Sequence, residues 1–249
     1  MTGKPSTIAI RGAGITGLWQ ALMLARQGYA VSVYERSETP FADAASRYAA
    51  AMLGPRCEEE SAENFVRRLG LRSIALWREN YPGTIANGTL VLTLPRDRPL
   101  LERFSRMTSQ HERIDRARIE ALEPGLADRF DTALFFPDEA HFPPEDAMRW
   151  AQGAAQEAGV RFVFGTGDYE KDADLVIDCR GLGARDDLPE LRGVRGERII
   201  VRSAEIALSR PLRLLHPRQP IYVVPRGNDE YMLGATAIES DEGGLISVR

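Results

Sequence analysis

The stretch Thr7-Ile8-Ala9-Ile10-Arg11-Gly12-Ala13-Gly14-Ile15-Thr16-Gly17 decides how this chain is read. Thr7 to Ile10 is a short apolar, β-prone run, the pattern of a strand buried in a parallel sheet. It runs straight into a Gly-x-Gly-x-x-Gly made by Gly12, Gly14 and Gly17. A helical pattern follows from Leu18 to Gln27, with Leu18, Leu22 and Ala25 on one face, and Gly28 stops it. Ala30 to Tyr34 is a second strand, closing on Glu35. Strand, glycine turn, helix and strand form a complete βαβ unit with the dinucleotide fingerprint in its first turn.

Each part of that unit has a physical task. Gly12 permits the tight turn. Gly14 lets the backbone approach a pyrophosphate, and Gly17 lets helix and strand pack closely. Ile15 and Thr16 lie in the same phosphate-facing turn, where the helix start offers N–H groups and a positive dipole end. Glu35 stands 18 residues after Gly17. A carboxylate there can accept both hydroxyls of a ribose diol and would repel a 2′-phosphate. Arg36 follows it and is counted with the same site. Arg11 stands where a small residue is usual and is expected to point away from the nucleotide.

Composition bounds the rest. The 249 residues suit one large or two small domains, and 43% apolar with 27% charged residues suits a globular protein rather than a disordered one. The charge is −4, from 32 basic and 36 acidic residues, so no basic surplus points to nucleic acid. The basic residues are arginines apart from Lys4 and Lys171, and they are scattered. Cys57 and Cys179 lie far apart, without metal-ligand spacing, which suggests a reducing cytoplasm. No apolar stretch approaches the roughly 18 residues of a membrane span. A strand that starts by Thr7 leaves no room for a signal peptide.

The fingerprint does not separate FAD from NAD. The small-residue run after it bears on the choice. Ala44-Ala45-Ser46-Arg47-Tyr48-Ala49-Ala50-Ala51-Met52-Leu53-Gly54-Pro55 precedes Cys57-Glu58 and Ser61-Ala62-Glu63. Composition alone would favour a tightly packed helix start. With the fingerprint, however, the run resembles the flavin-contacting segment of the FAD-dependent D-amino-acid oxidase and glycine oxidase superfamily, nearest to its glycine oxidases of bacterial thiamine biosynthesis.

Later pieces resemble that family in order and spacing. They are Ile114-Asp115 with Leu122-Glu123-Pro124, then Asp138-Glu139-Ala140-His141 with Pro144, then Asp174 through Gly183. Gly193 through Glu197, Ile221 through Arg226 and Leu233 through Thr236 complete the series. The resemblance implies FAD as the cofactor, with Ala45 and Ser46 near the pyrophosphate and Ala50, Ala51 and Met52 beside the isoalloxazine. Gly181 would lie in a turn that passes the cofactor again. Tyr222 would contact the substrate carboxylate, although without the resemblance it reads first as a strand tyrosine with its ring in the core and its hydroxyl at the edge.

The implied fold is α/β, a Rossmann-like FAD-binding domain interleaved with an α+β substrate domain on a mostly antiparallel sheet. The FAD domain is expected over 1–80 and 140–185, the substrate domain over 85–138 and 188–240. Strands are expected at Thr89–Leu94, Arg198–Val201, Ile221–Val224 and Tyr231–Leu233. Helices are expected at Ala62–Tyr81, Pro99–His111 and Pro144–Ala158, the last with proline in its first turn and Gly159 as its stop. The family continues past a segment like Ser240-Asp241-Glu242, with a Gly-x-Arg-Pro arginine that binds the substrate carboxylate. On that comparison Leu245 to Arg249 would not end a family domain, and the chain is expected to be truncated or a fragment.

The reaction implied is hydride transfer from the α-carbon of glycine or another small amino acid to flavin, giving an imine. Oxygen then takes the electrons and forms peroxide. Glycine imine would feed the thiamine thiazole. An inactive FAD-binding fragment, or an FAD-dependent dehydrogenase or monooxygenase, is the alternative. Gly181-Leu182-Gly183-Ala184-Arg185-Asp186 lacks a third glycine, and the chain has no Asp-Gly pair, so no second nucleotide or flavin motif emerges. His111, His141 and His216 show no partner spacing, and no metal site is expected. Glu58-Glu59-Glu60 reads as a solvated, acidic lead-in to a helix. Oligomeric state stays open, with a homo-oligomer among the options.

Overall fold

The computed structural model describes residues 6–126 and 128–240. The chain runs β1 (Thr7–Arg11), α1 (Ile15–Arg26), β2 (Ala30–Glu35), β3 (Met52–Leu53), α2 (Asn64–Asn80) and β4 (Thr89–Thr93). It continues through α3 (Arg98–Met107), β5 (Glu112–Asp115), α4 (Arg116–Leu122), β6 (Thr132–Phe136), β7 (Ala140–His141) and α5 (Pro144–Glu157). Then come β8 (Arg161–Phe164), β9 (Leu175–Asp178), β10 (Arg198–Arg202), β11 (Leu212–Leu215), β12 (Ile221–Gly227) and β13 (Glu230–Gly234). Two compact units divide the chain. One holds the residues up to Ala49 and Pro144–Gly193; the other holds Ala50–Pro143 and the residues from Val194 on.

The first unit is a parallel sheet in the order β8-β2-β1-β9. Ile8, Ile10, Val31 and Val33 on the strands meet Leu18, Ala21 and Leu22 of α1 and Met148, Ala151 and Ala155 of α5. The alanines let the two helices lie close on the sheet. Both helices end in the same device. Tyr29 N–H donates to Leu24 O and Gly28 N–H to Ala25 O; Val160 N–H donates to Ala155 O and Gly159 N–H to Gln156 O. These are Schellman caps, with the left-handed backbone at Gly28 (φ +87°) and Gly159 (φ +91°). α1 begins at Ile15, three residues ahead of the expected Leu18, because the last part of the glycine turn is itself helical.

The second unit is built on a seven-stranded sheet, β10-β13-β12-β11-β4-β6-β5. Every neighbouring pair is antiparallel except β11 with β4. β4 is buried on both faces. Leu90 and Leu92 join Ile119 and Leu212 in one core, while Val91 joins Leu101, Phe104 and Phe136 in another. The period-two alternation of strand side chains thus serves two cores from one strand. β3 and β7 form a separate small pair, Met52 opposite His141.

The units divide at Ala49/Ala50 and Pro143/Pro144, so 50–80 packs with the substrate-type sheet instead of the expected FAD half. Aromatic contact is the reason for the α2 end of this segment. Trp77 lies 4.6 Å from Phe142, and Tyr81 lies edge-on to Phe142 at 5.7 Å. α3 stops at Met107 rather than His111, because the Thr108 hydroxyl donates to Phe104 O (2.9 Å) and its backbone turns extended. Ser240 is the last described residue; Asp241-Glu242 and Leu245–Arg249 lie outside the described residues. No helix among the described residues is long and apolar enough to cross a membrane, and these residues bring together no metal-ligand group.

Candidate flavin and substrate site

In the first unit the glycine turn is shaped by contact. Gly12 takes a left-handed backbone (φ +98°), and its N–H continues the β1–β2 ladder to Tyr34 O (2.8 Å). A Cβ on Gly17 would stand 2.0 Å from Gly12 O, so the turn closes only around a residue without one. At Gly14 an added Cβ would meet nothing nearer than Ser46 Oγ at 3.7 Å. Protein contact therefore explains Gly12 and Gly17, whereas at Gly14 a Cβ would find only ordinary contact.

The surroundings of Gly14 have the chemistry of an anion site. No side chain caps α1 at Gly14. Ile15 N–H donates to Ser46 Oγ (3.2 Å), which brings the 3-10 turn Ala45–Tyr48 to the helix start, with Thr16 exposed beside it. Glu35 ends β2 with Oε2 accepting Ala13 N–H (2.8 Å) and Oε1 accepting Ser37 N–H (3.1 Å). Those bonds fix the carboxylate at the edge of the turn and leave it lone pairs for a ribose diol. Arg36 follows, exposed, with Asp43 at 3.9 Å.

Gly181 (φ +57°) opens a 3-10 turn directly after β9, which pairs with β1. Arg180 pins this turn by reaching Asp178 (2.6 Å), Asp186 (2.9 Å) and Asp187 (2.6 Å). Arg11 joins the same cluster through Asp178 and Asp187 and lies over Tyr169, so its charge is committed to protein groups. Room for a Cβ at Gly14, a helix start whose first N–H is held by the Ser46 hydroxyl alone and a fixed carboxylate at Glu35 fit the diphosphate and ribose of a dinucleotide.

The other expected residues lie in the second unit. Ala51 has a left-handed backbone (φ +51°), and its carbonyl accepts Phe142 N–H (3.3 Å). Ala50 precedes it, and Met52 enters the β3–β7 pair, all three half-buried. Behind them Glu139 is fully buried and accepts Cys57 N–H (2.8 Å). Burial pushes its carboxyl up, against the downward pull of bonds from Thr89 and Cys57. Cys57 and Cys179 are free thiols, each pushed up by burial.

His141 is buried, and burial together with the charge of Arg210 pushes it down to about 4. This carries a prediction. The unfolded chain takes up the proton near pH 6.5 and the folded chain only near pH 4, so between them the unfolded state binds more protons. Stability from this group is complete above pH 6.5 and is lost as pH falls towards 4, by ~3 kcal/mol in all. Glu139, with its raised carboxyl, contributes in the opposite sense. The fall in melting temperature from pH 7 to pH 5 is therefore expected to be larger in the wild type than in His141→Gln. Equal falls would remove His141 from the acid response.

Tyr222 lies on β12 opposite Arg213 of β11. Its hydroxyl reaches Glu58 Oε1 at 3.5 Å, and its ring lies 5.3 Å from the Arg213 guanidinium. Burial pushes the phenol up to about 12, with Arg213 pulling down and Glu58 pushing up. Arg213 is buried and donates to Cys57 O (2.6 Å) and Glu60 (3.3 Å). The acidic run is therefore not a solvated lead-in. Glu59 receives Ser109 and Arg56, Glu60 receives Arg213, and Glu58 faces Tyr222.

Sequence reasoning did not single out Arg213. The signal was its place inside the apolar run Leu212-Arg213-Leu214-Leu215, where only a specific set of acceptors can hold a charge. The structure brings Gly12, Gly14, Ile15, Thr16, Gly17, Glu35, Ser46 and Gly181 around one turn. It brings Glu58, Arg213 and Tyr222 together in the other unit.

Comparison with known proteins bears on the family. Residues 7–247 match the family DAO, FAD dependent oxidoreductase. The chain is 47% identical over 244 residues to "Putative thiamine biosynthesis oxidoreductase ThiO" of Rhizobium etli, covering 97% of this chain and 74% of that protein. Among solved structures, glycine oxidase from Geobacillus kaustophilus superposes with a TM-score of 0.77 at 22% identity, covering 96% of this chain and 73% of that one. L-alpha-Glycerophosphate Oxidase from Mycoplasma pneumoniae with FAD bound superposes at 0.73 with 18% identity, covering 95% and 73%. With its glycine turn, its helix start and its Glu35 carboxylate, the chain belongs to the DAO family of FAD dependent oxidoreductases.

Proposed function

We propose that this protein oxidises the amine of glycine or another small amino acid to an imine, with O2 as the electron acceptor and H2O2 formed, in support of thiamine biosynthesis. The observation that carries the reading is the 47% identity to the thiamine biosynthesis oxidoreductase of Rhizobium etli. The free thiols agree with a cytoplasmic setting. The chemistry that bound FAD supplies is acceptance of the α-carbon hydride and return of the electron pair to O2.

The protein's part is to bind and to orient. The Gly12–Gly17 turn, with Ala45 and Ser46 beside it, takes the diphosphate, and Glu35 takes the ribose. Arg36 and Gly181 belong to the same half of the site, and Ala50, Ala51 and Met52 form the isoalloxazine face. Tyr222 donates its hydroxyl to the substrate carboxylate. Its raised phenol keeps the proton there at neutral pH, so the group acts as a donor and not as a base.

The test is a visible spectrum of the purified chain with FAD, before and after anaerobic glycine. A bound-flavin spectrum that bleaches is the expected result. Bound flavin that stays oxidised would move the reading to a different substrate. Tyr222→Phe is expected to retain FAD and to raise KM for glycine ~10-fold, the effect of one lost hydrogen bond to a charged group. Loss of flavin in that variant would make Tyr222 structural.

A further inference from the structure

Glu58, Glu59 and Glu60 share one 3-10 turn, yet the fold occupies them differently. Glu59 accepts Ser109 N–H at 2.6 Å and the Ser109 hydroxyl at 2.9 Å, and Arg56 at 3.3 Å. Glu60 accepts Arg213 at 3.3 Å. Glu58 has only long contacts, 3.5 Å to the Tyr222 hydroxyl and 3.7 Å to Arg213, and its side chain is 44% exposed. Of the three carboxylates it is the most exposed and the one that lies against the Tyr222 hydroxyl. Arg213 fixes its place, because the same guanidinium holds Cys57 O at the start of the turn and Glu60 at its end.

An α-amino acid carries its carboxylate and its ammonium on one carbon. Groups that hold the two ends of glycine must therefore stand side by side. The Tyr222 hydroxyl and the Glu58 carboxylate do, one a donor and the other an acceptor. A hydroxy acid of the same size brings the anion and a neutral hydroxyl, without the positive charge. Beside Glu58 that anion meets a like charge with no ammonium to offset it, which is a repulsive element of the kind specificity requires.

We propose that Glu58 binds the ammonium group of the substrate and so selects amino acids over hydroxy acids. The inference rests on the assignment of Tyr222 to the substrate carboxylate. The test uses the FAD-loaded protein and two probes, KM for glycine in turnover and the inhibition constant of glycolate. Glu58→Gln keeps the shape and removes the charge. It is expected to raise KM for glycine ~10-fold, the effect of one charge-assisted bond, and to tighten glycolate several-fold.

A turn that is merely distorted would weaken both probes together, and that result, or an unchanged KM, overturns the proposal. Tyr222→Phe, run in parallel, is expected to weaken both. If it does while Glu58→Gln changes neither, the Glu58 assignment falls and the carboxylate assignment stands. If the wild type neither turns over glycine nor is inhibited by glycolate, both fall.

Discussion

Gly14→Val is expected to leave the melting temperature of the flavin-free protein unchanged and to weaken FAD binding ~100-fold or more. The two effects separate because the structure separates the glycines. Gly12 and Gly17 are required by contacts within the protein, the second by a carbonyl oxygen that would stand 2.0 Å from its Cβ. At Gly14 the backbone has φ −69°, which any L-residue adopts, and the nearest atom to an added Cβ is Ser46 Oγ at 3.7 Å. A Cβ there therefore meets no clash, and the valine methyls extend it into the space where the diphosphate would approach the helix N–H groups. Two lost charge-assisted hydrogen bonds of ~1.5 kcal/mol each correspond to ~100-fold. Thermal melting without flavin and equilibrium titration with FAD would measure both effects. Retained FAD affinity would sink the assignment of this turn to the cofactor. A lower melting temperature would mean that Gly14 also serves the fold.

Glu123→Ala is expected to cost ~3–5 kcal/mol, the cost of breaking a buried ion pair by removing one partner. Glu123 is 1% exposed and Arg210 9%. The carboxylate accepts Arg210 Nε (2.9 Å), Ser209 N–H (3.0 Å) and the Ser209 hydroxyl (2.6 Å). Arg210 also donates to Asn87 O and Leu122 O, so one guanidinium ties together β11's approach, the end of α4 and the loop before β4. Without Glu123 the charge stays buried with only carbonyl and hydroxyl partners. A drop in melting temperature of ~10 °C is the expected scale for a protein of this size. The double change Glu123→Leu with Arg210→Met should recover part of the loss, since it removes the unpaired charge, but not all, because two carbonyls and the Ser209 N–H lose their partners. A drop of less than ~2 °C for the single variant would show that water reaches the site and screens the charge.

These two sites differ in how much of them the sequence disclosed. The first unit was legible because its signals are local. An apolar run, three glycines at fixed spacing, an amphipathic helix and a carboxylate at the second strand's end occupy Thr7 to Glu35, and each constrains its neighbours directly. Helix ends were legible for the same reason, since Gly28 and Gly159 act within one turn. Among the described residues no such local signal marked Glu123 as the partner of Arg210, 87 positions later.

Residues 50–80 show the limit from the other side. Ala50-Ala51-Met52 were picked out through family likeness, but likeness in sequence says nothing of which sheet a segment packs on. The packing of Cys57 against Val91, Leu134 and Leu215, with the bond from Arg213 to Cys57 O, decided that.

By itself, then, the sequence determined that this chain makes a dinucleotide-binding βαβ unit and that two of its helices stop at Gly28 and Gly159. Those properties follow from backbone geometry and side-chain periodicity over a few residues. Only the tertiary structure decided which of three consecutive glutamates faces Tyr222, and that Arg213 lies buried beneath it. Which acceptor a charge finds depends on the pairing of β11 with β12 and on where the turn at Cys57 falls. Both are long-range choices, made by packing many side chains at once.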